Sequence, residues 1–457
     1  MPTKQQTKKQ IKNAAKLIDR WLDYQVYVRE VPGMAAGIVH DGEVIYSNTF
    51  GYADIRRKEK TKLTTCYHIA SISKTFTATA IMQLTEQGKL QLDDKVGKHL
   101  SWFTSQKDKN VQAITIRQLL SHSSGISRDG NTPHWETDKF PSLQQIKDFV
   151  SECEVTAYAP LERFKYSNFG YAILGEVIAE VSGLSYAEYV EKNIVKKLGL
   201  KHTSVEESSK NKNIVAIGYE RKLPGKQPKA IAPLNTQAFA PAAGVVSNVP
   251  DLCKYMAAQL PGNTKLLTEE SKRDMQRIQW LRGEGEKIHY GLGYEILQSN
   301  GKRLYGHGGG FSGYSTYIRM DAKNNISIAI LTNTIDSLPF MLMESAFAIL
   351  YHFIENNDSI QETKKQTHAK KYKGRFTSRW GETDIVEIDG RLFAFSPGVL
   401  DPNASLSPLE PLGQDKFRIT EGDDFDWIGE TMRYEFDKQG RTKKVYWGPN
   451  PLKPFRP

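Results

Sequence analysis

Alternating and helical patterns of apolar residues run through the first three quarters of the chain. Strands are predicted at residues 34–40 and 43–52, and the Asp41-Gly42 turn between them predicts a β-hairpin. Helical spacing then recurs at about 71–87, 114–122, 143–152, 169–182, 185–195, 249–260 and 267–280. Strands follow near 289–297, 302–306, 314–320 and 325–332, and a helix at about 338–355 ends the region. Helices placed between a first hairpin and a later antiparallel run predict an α+β fold, with one sheet packed by helices and a largely helical second lobe.

The pattern changes after residue 355. Residues 356–369 are polar and charged, which is typical of a linker. Beyond them, short strands are predicted at 372–376, 384–388, 391–395, 416–419, 433–436 and 443–447. The sequence therefore predicts a domain at 1–355, a linker at 356–369 and a small all-β, barrel-like domain at 370–457.

The first residues of the chain predict an amphipathic helix that lies on a domain. Lysines alternate with Ile11, Ile18 and Leu22 at helical spacing, and Trp21 and Tyr24 continue the apolar face. This start lacks the apolar core of a signal peptide, and no stretch approaches the roughly 20 apolar residues of a membrane span. We therefore expect a cytoplasmic location and no membrane span.

Composition narrows the classes of function. The formal net charge of +10 would suit a nucleic-acid partner, but the basic residues are spread along the chain, so none is expected. Three cysteines at long spacings predict neither a disulfide framework nor a zinc site, and no His-Glu-x-x-His motif occurs. We expect no cofactor and no metal. The sequence leaves open whether the chain forms a homo-oligomer.

The first candidate for chemistry is the pair Ser71 and Lys74 at the start of an apolar helix. Residues three apart lie on one face of a helix, and an amine whose pKa is lowered can take the proton of a serine hydroxyl. The helix N-terminus also offers N–H groups to an oxyanion. The spacing alone is a weak signal, because Ser209 to Lys212 and Ser299 to Lys302 repeat it in polar, turn-like stretches. A plain N-cap role for Ser71 is the alternative.

The second candidate is Tyr166-Ser167-Asn168, which ends a loop and precedes a helix. A tyrosine beside an ammonium group can relay a proton, and an asparagine amide can hold a lysine or a substrate amide. The same triplet at Tyr46-Ser47-Asn48 lies in an alternating strand and is interpreted as part of a sheet.

The third candidate is the glycine-rich stretch from Gly306 to Gly313, which contains His307, Gly309 and Gly310. Dense glycines let a ligand approach backbone N–H groups. A chance match to Gly-x-Gly-x-x-Gly is rejected as a dinucleotide site, because a strand rather than a helix follows. His307 either shapes the loop or donates to a substrate carboxylate or carbonyl; as an imidazolium it would bind a carboxylate.

Taken in order, these three elements resemble the serine β-lactamase and penicillin-binding protein superfamily. The similarity is to its class C β-lactamase-related branch, which includes D-alanyl-D-alanine carboxypeptidases, D-aminopeptidases and esterases. It covers about residues 15–355. Three further segments resemble the same branch: Pro32 to Gly37 with the hairpin that follows, Leu119 to Gly125, and Pro241-Ala242-Ala243-Gly244.

The resemblance implies a role for each candidate residue. Ser71 is the acylated nucleophile, Lys74 its partner and Tyr166 the general base with Asn168 beside it. The N–H groups of Ser71 and Gly310 form the oxyanion hole. His307-Gly308-Gly309 stands where many relatives have Lys-Thr-Gly, which disfavours efficient β-lactam recognition. The last 88 or so residues resemble the lipocalin-like barrel appended to some members.

The sequence thus predicts a serine hydrolase that forms an acyl-enzyme on amide or ester bonds. Small peptides carrying D-amino acids and small esters are the expected substrates. β-Lactamase or penicillin-binding activity is one alternative, and a non-catalytic binding protein of the same fold is another.

Overall fold

The chain forms two compact units in a computed structural model that describes residues 3–283, 285–299, 301–356, 365–366, 368–421 and 428–455. The sheet unit comprises Pro32–Pro339. The barrel unit comprises Met1–Val31 and Phe340–Pro457. The units therefore divide the chain differently from the predicted 1–355 domain, because the first helix belongs with the barrel.

The sheet unit is built on an antiparallel sheet of eight strands, in the order β3-β2-β1-β11-β10-β9-β8-β7. A second, three-stranded sheet in the order β4-β6-β5 joins distant parts of the chain. The strands are β1 Gly33–His40, β2 Glu43–Asp54, β3 Glu59–Lys60, β4 Tyr67–His68, β5 Ser204–Val205, β6 Val245–Ser247, β7 Ile288–Tyr290, β8 Glu295–Ser299, β9 Lys302–Phe311, β10 Tyr314–Asp321 and β11 Ile326–Thr332.

Helices occupy the sequence between the hairpin and the later strands, as the α+β prediction requires. Together with the first and last helices of the chain they are α1 Lys4–Val28, α2 Ser73–Glu86, α3 Val96–His99, α4 Ile116–Leu120, α5 His134–Thr137, α6 Leu143–Glu152, α7 Asn168–Ser182, α8 Tyr186–Val190, α9 Lys196–Leu198, α10 Ala240–Ala243, α11 Val249–Gln259, α12 Glu269–Gln276 and α13 Pro339–Glu355. Side-chain oxygens of Thr115, Ser142 and Ser167 accept from backbone N–H groups where α4, α6 and α7 begin.

The helix α2 is the centre of the sheet unit. Every residue from Ser73 to Leu84 is buried, so the helix has no solvent face. Its hydroxyl groups are therefore satisfied internally: Thr77 Oγ1 donates to Pro241 O at 2.7 Å, and Ser73 Oγ accepts from Val245 N at 2.9 Å. These bonds fix the start of α2 against α10 and β6.

The barrel unit contains a closed barrel of eight antiparallel strands. The last strand pairs with the first through Phe376–Pro454 and Thr377–Lys453. The prediction of a C-terminal barrel is confirmed, although two strands, β15 and β19, were missed. Each carries two prolines, which withhold N–H groups and are rare within sheets. The strands are β12 Gly374–Ser378, β13 Gly381–Ile388, β14 Arg391–Phe395, β15 Ser407–Gly413, β16 Lys416–Ile419, β17 Thr431–Phe436, β18 Thr442–Trp447 and β19 Asn450–Pro454.

The amphipathic helix α1 lies against this barrel. Trp21 Nε1 donates to Val399 O at 2.9 Å, and Gln25 Nε2 donates to Pro397 O at 2.8 Å. Arg20 reaches the buried carboxylate of Asp384 at 3.1 Å. Periodicity predicted the helix but could not say which body it covers. Of the predicted linker, residues 357–364 and 367 lie outside the described residues.

Candidate active site

Ser71 lies in a single 3-10 turn, Ala70–Ile72, that leads directly into α2. Ala70, just before it, has a φ of 50°, a left-handed conformation that costs energy for a residue with a Cβ. The turn is held on both sides: Ile69 N donates to Val245 O at 3.0 Å, and Thr316 Oγ1 donates to Ile69 O at 3.0 Å. These bonds present the half-buried Ser71 at the beginning of a buried helix.

Lys74, one turn further along, is fully buried and has three oxygen partners. Its Nζ lies 3.1 Å from Ser71 Oγ, 2.7 Å from Asn168 Oδ1 and 2.9 Å from Ala242 O. Burial lowers the pKa of Lys74 well below its ordinary value; nearby Asp129 opposes the shift and Arg128 reinforces it. A lysine with a lowered pKa is suited to accept a proton from the serine.

Tyr166 lies across the same space. Lys74 Nζ lies 4.9 Å from its ring centre. Burial raises the pKa of Tyr166, and its interaction with Ser71 only partly offsets that rise. The phenol therefore holds its proton at neutral pH. The resemblance implies Tyr166 as the general base, but the lowered pKa of Lys74 makes this lysine a candidate for the same role.

Asn168 is held by both ends of its amide. Oδ1 accepts from Lys74, and Nδ2 donates to Asp129 Oδ1 at 2.6 Å. Its backbone N–H donates to Arg128 O at 2.8 Å, which fixes the start of α7. The structure thus brings Ser71, Lys74 and Asn168 together as predicted. The sequence analysis missed Asp129, which orients the amide and places a carboxylate near Lys74.

His307 is buried on β9, with its ring centre 6.2 Å from that of Tyr166. Its Nδ1–H donates to Gly308 O at 2.6 Å, and its Nε2 accepts from the Tyr290 hydroxyl at 2.9 Å. Burial lowers the pKa of His307 to about 4; Glu295 opposes the shift. A pKa this low favours a neutral His307 at physiological pH and disfavours the imidazolium role considered from the sequence.

Gly309 allows β9 to contact the turn that carries Ser71. A Cβ on Gly309 would lie 2.3 Å from Ile69 O and 2.4 Å from Thr316 Oγ1. Such distances are far below contact, so no larger residue fits without moving the backbone. The glycine thus brings the next residue, Gly310, beside Ser71.

The register of the β9–β10 hairpin orients Gly310. Phe311 and Tyr314 close a two-residue loop, and the next pair along is Gly310 with Ser315. The pair that closes such a loop is hydrogen-bonded, so the following pair is not, and its N–H groups point away from the partner strand. A Cβ at Gly310 would meet nothing within 4 Å. The N–H of Gly310 is thus available to an oxyanion beside that of Ser71.

His122 was quoted only as part of a motif, yet it lies against the site. Its Nδ1 accepts from Ser167 N at 3.0 Å, and its ring centre is 4.3 Å from that of Tyr166. Burial lowers the pKa of His122 well below its ordinary value. A neutral ring in this position fixes the loop that carries Tyr166. The motifs around His122 and Ala242 were the signals that could have identified both residues.

The repeated motifs lie elsewhere, as the sequence analysis expected. Ser209 and Lys212 are exposed in turns. Ser299 and Lys302 pair across the β8–β9 hairpin, and Tyr46 to Asn48 lie in β2, paired with β1. Among these motif copies, as the described residues place them, the ones at Ser71 and Tyr166 lie beside the buried Lys74.

The central sheet and the Ser71–Lys74–Tyr166 pocket together define a β-lactamase-like fold of the serine hydrolase class. A family model described as Beta-lactamase matches residues 18–351. The chain belongs to that family, and the resemblance drawn from its motifs is confirmed.

Named relatives include the Flp protein and a penicillin-binding protein. The Flp protein of Staphylococcus aureus strain N315 is 31% identical over 69% of this chain. The match spans 62% of Flp, which is less than two thirds of its length. Penicillin-binding protein 4* of Bacillus subtilis strain 168 is 30% identical over 64% of this chain and 66% of its own.

Solved structures show the same fold. An octameric penicillin-binding protein homologue from Pyrococcus abyssi superposes with a TM-score of 0.65 at 24% identity, covering 95% of this chain and 99% of that one. A D-stereospecific amidohydrolase from Streptomyces sp. gives 0.60 at 25% identity, over 76% of this chain and 99% of its own.

In the described part of the chain, no helix is both long and apolar enough to cross a bilayer. The same residues contain no group of three or more His, Cys, Asp or Glu side chains arranged to hold a metal ion.

Proposed function

We propose that the chain hydrolyses amide or ester bonds through an acyl-enzyme on Ser71. The observation that carries the proposal is the position of Lys74 Nζ, buried and within 3.1 Å of Ser71 Oγ. A serine hydroxyl needs such a neighbour to become a nucleophile, and a plain N-cap does not.

The proposed steps follow from the contacts. Ser71 Oγ attacks the substrate carbonyl, and its proton passes to Lys74 Nζ. The oxyanion is held by the N–H groups of Ser71 and Gly310. The tetrahedral intermediate collapses when the leaving amine or alcohol receives a proton from Tyr166, which is reprotonated by Lys74. Water then hydrolyses the acyl-enzyme by the same steps in reverse order.

Small peptides carrying D-amino acids and small esters are the substrates we propose. A D-stereospecific amidohydrolase shares the fold, which supports amide hydrolysis of this kind. His307 replaces the charged lysine of Lys-Thr-Gly and is neutral, so it offers a substrate carboxylate no charge. That difference disfavours the anionic β-lactams. Penicillin-binding activity remains the second candidate because of the likeness to penicillin-binding protein 4*.

Positive charge near the pocket comes from arginines instead. Arg128 lies 5.6 Å from the ring centre of Tyr166, and Arg282 lies 5.1 Å from that of Phe164. Both reinforce the lowered pKa of His122, which shows that their fields reach the site. A peptide with a free carboxylate would therefore meet a cation at the edge of the pocket rather than at His307.

A substrate panel tests the proposal. Initial rates are measured with p-nitrophenyl esters, D-amino-acid p-nitroanilides and their L-isomers, and nitrocefin. We expect turnover of esters or D-amides that is lost in Ser71→Ala and kept in Ser209→Ala, a control from the repeated motif. Turnover of nitrocefin alone would support the second candidate. No turnover of any substrate would favour a binding protein of the same fold, and equal turnover by Ser71→Ala would contradict Ser71 as the nucleophile.

A further inference from the structure

The interior of the barrel is filled at one end by aromatic side chains. Tyr372, at the start of this domain, lies with its ring centre 4.8 Å from Phe417 and 5.0 Å from Tyr434. Phe376 and Phe436 lie 6.1 Å and 6.0 Å from Tyr434. These rings belong to one core cluster, so inward-facing positions can be identified along each strand.

At the other end, the inward positions carry small side chains. Side chains of a strand alternate between its two faces, so residues two or four positions from a core residue also face inward. This rule is applied from five core residues, Phe376, Ile385, Ala394, Leu409 and Leu452. It identifies six further inward positions: Ser378, Gly381, Thr383, Ser396, Ser407 and Asn450. None of these can fill the space that a leucine or phenylalanine would occupy.

A cavity of about 480 Å³ lies at this end and is lined by all six. Its apolar wall is made by Ile419, Leu452 and Trp447, which belong to the core cluster or pack against it. An eight-stranded barrel is wide enough to hold one small ligand when its side chains do not fill it. The volume is about three times the ~150 Å³ that admits benzene to an apolar cavity.

The chemistry of the lining indicates a neutral ligand. The inward side chains named above are apolar or carry hydroxyl and amide groups. Glu382 also borders the cavity, but it alternates with the inward Gly381 and Thr383 and accepts a hydrogen bond from the Tyr24 hydroxyl at 2.5 Å. Trp380, in the turn between β12 and β13, borders the opening with 91% of its surface exposed. An exposed indole at the rim of an apolar cavity is suited to stacking on a ring.

We propose that this end of the barrel is a binding site for a neutral, largely apolar small molecule of about two or three rings. The hydroxyl groups of Ser396 and Ser407 and the amide of Asn450 would bind its polar group. The apolar wall supplies the affinity, because burial of apolar surface is the main favourable contribution in such cavities. The site is independent of the proposed hydrolysis and needs no reaction at Ser71.

Titration with N-phenyl-1-naphthylamine tests the site, since this neutral probe fluoresces when it leaves water. We expect saturable binding of one molecule per chain. Ser396→Phe places a ring in the cavity and should weaken binding by about tenfold or more, a change of about 1.4 kcal/mol. The variant keeps the hydrogen bond between residues 396 and 405, because Ser396 donates its backbone N–H to Ser405 Oγ.

A matched control makes the result specific. Thr431→Phe adds the same ring at a position that alternates with the inward Met432, so binding should stay within about twofold. Circular dichroism verifies the fold, and Thr383→Leu fills the cavity from another strand if Ser396→Phe does not fold. Absence of saturable binding, or equal binding by the folded filling variant, would overturn the proposal.

Discussion

The proposed catalytic pocket around Ser71 and the open end of the barrel both depend on small residues, but for opposite reasons. In the pocket, Gly309 lets β9 reach the turn of Ser71, where a Cβ would lie 2.3 Å from Ile69 O. In the barrel, Ser396 and Ser407 face a cavity of about 480 Å³. The first use of small residues brings backbone segments into contact, and the second leaves space between strands.

The difference extends to the polar groups. Lys74 Nζ and both ends of the Asn168 amide each have a named partner, so the position of the lysine is determined by several bonds at once. Ser396 and Asn450, at the barrel end, line open space. Catalysis requires groups held in place before the substrate arrives, whereas a binding cavity requires room and a wall. Substitutions should therefore have large effects in the pocket and small ones at the barrel end.

Removal of the proton carriers should have the largest effect. Lys74→Met and Tyr166→Phe are each expected to lower kcat by about 10²-fold or more, because each loses an acid–base group. In the double variant the losses should be far from additive, since the two residues act on one proton path. The measurement is steady-state hydrolysis of the best substrate in the panel.

The repeated motifs supply matched controls for this experiment. Lys212→Met and Tyr46→Phe make the same chemical changes at sites away from Ser71, and kcat should not change. Additive losses in the Lys74–Tyr166 double variant would show that the two residues do not share a proton path.

Gly309 tests the contact between β9 and the turn of Ser71. Gly309→Ala is expected to lower kcat by about tenfold or more, because the added Cβ displaces Gly310 from the oxyanion position. Gly310→Ala should retain most activity, since its Cβ meets nothing within 4 Å and its N–H remains. Equal activity of the two variants would contradict the proposed oxyanion hole.

The pKa of His307 predicts a moderate effect on stability. The unfolded chain binds this proton near pH 6.5, whereas the folded chain binds it only at about 4, so stability is lost as pH falls through that window. His307→Gln should therefore show a smaller decline in the free energy of unfolding between about pH 6.5 and 4.5. Urea denaturation at each pH measures it. A steeper decline in the variant would mean that the folded His307 binds the proton readily.

The smallest effect is expected at the barrel end. Ser396→Val adds apolar volume to an open cavity and should raise the free energy of unfolding by about 0.5 kcal/mol. Ala78→Val, at a fully buried position of α2, should lower it by about 1–3 kcal/mol through overpacking. Thermal unfolding compares the two. A loss of more than about 1 kcal/mol in Ser396→Val would show that the barrel end is filled.

Local sequence patterns predicted much of the fold and the first pair of site residues, Ser71 and Lys74. Ser71 and Lys74 could be predicted because their proximity follows from helix geometry alone. Tyr166 and Asn168 lie more than 90 residues away, and only the ordered set of motifs related them to Ser71. Hydrophobic periodicity likewise predicted helices and strands. It missed β15 and β19 because each contains two prolines, which are rare within sheets.

The other features of the site and the barrel depend on tertiary contacts that no local sequence pattern predicts. Asp129 acts through the Asn168 amide, and Ala242 through a backbone carbonyl that any residue could supply. The neutral state of His307 results from burial, which follows from how β9 packs. The cavity could not be predicted, since it requires the strand register of a closed barrel. For the same reason the sequence could not show that α1 packs against the barrel.

The most direct test of the account is the identity of the acylated residue. The chain is incubated with a fluorescent phosphonate or a penicillin, digested, and mapped by mass spectrometry. We predict one adduct, on Ser71, absent from Ser71→Ala and much slower to form in Lys74→Met. An adduct on another residue, or equal labelling of Ser71→Ala, would contradict the assignment of Ser71 as the nucleophile.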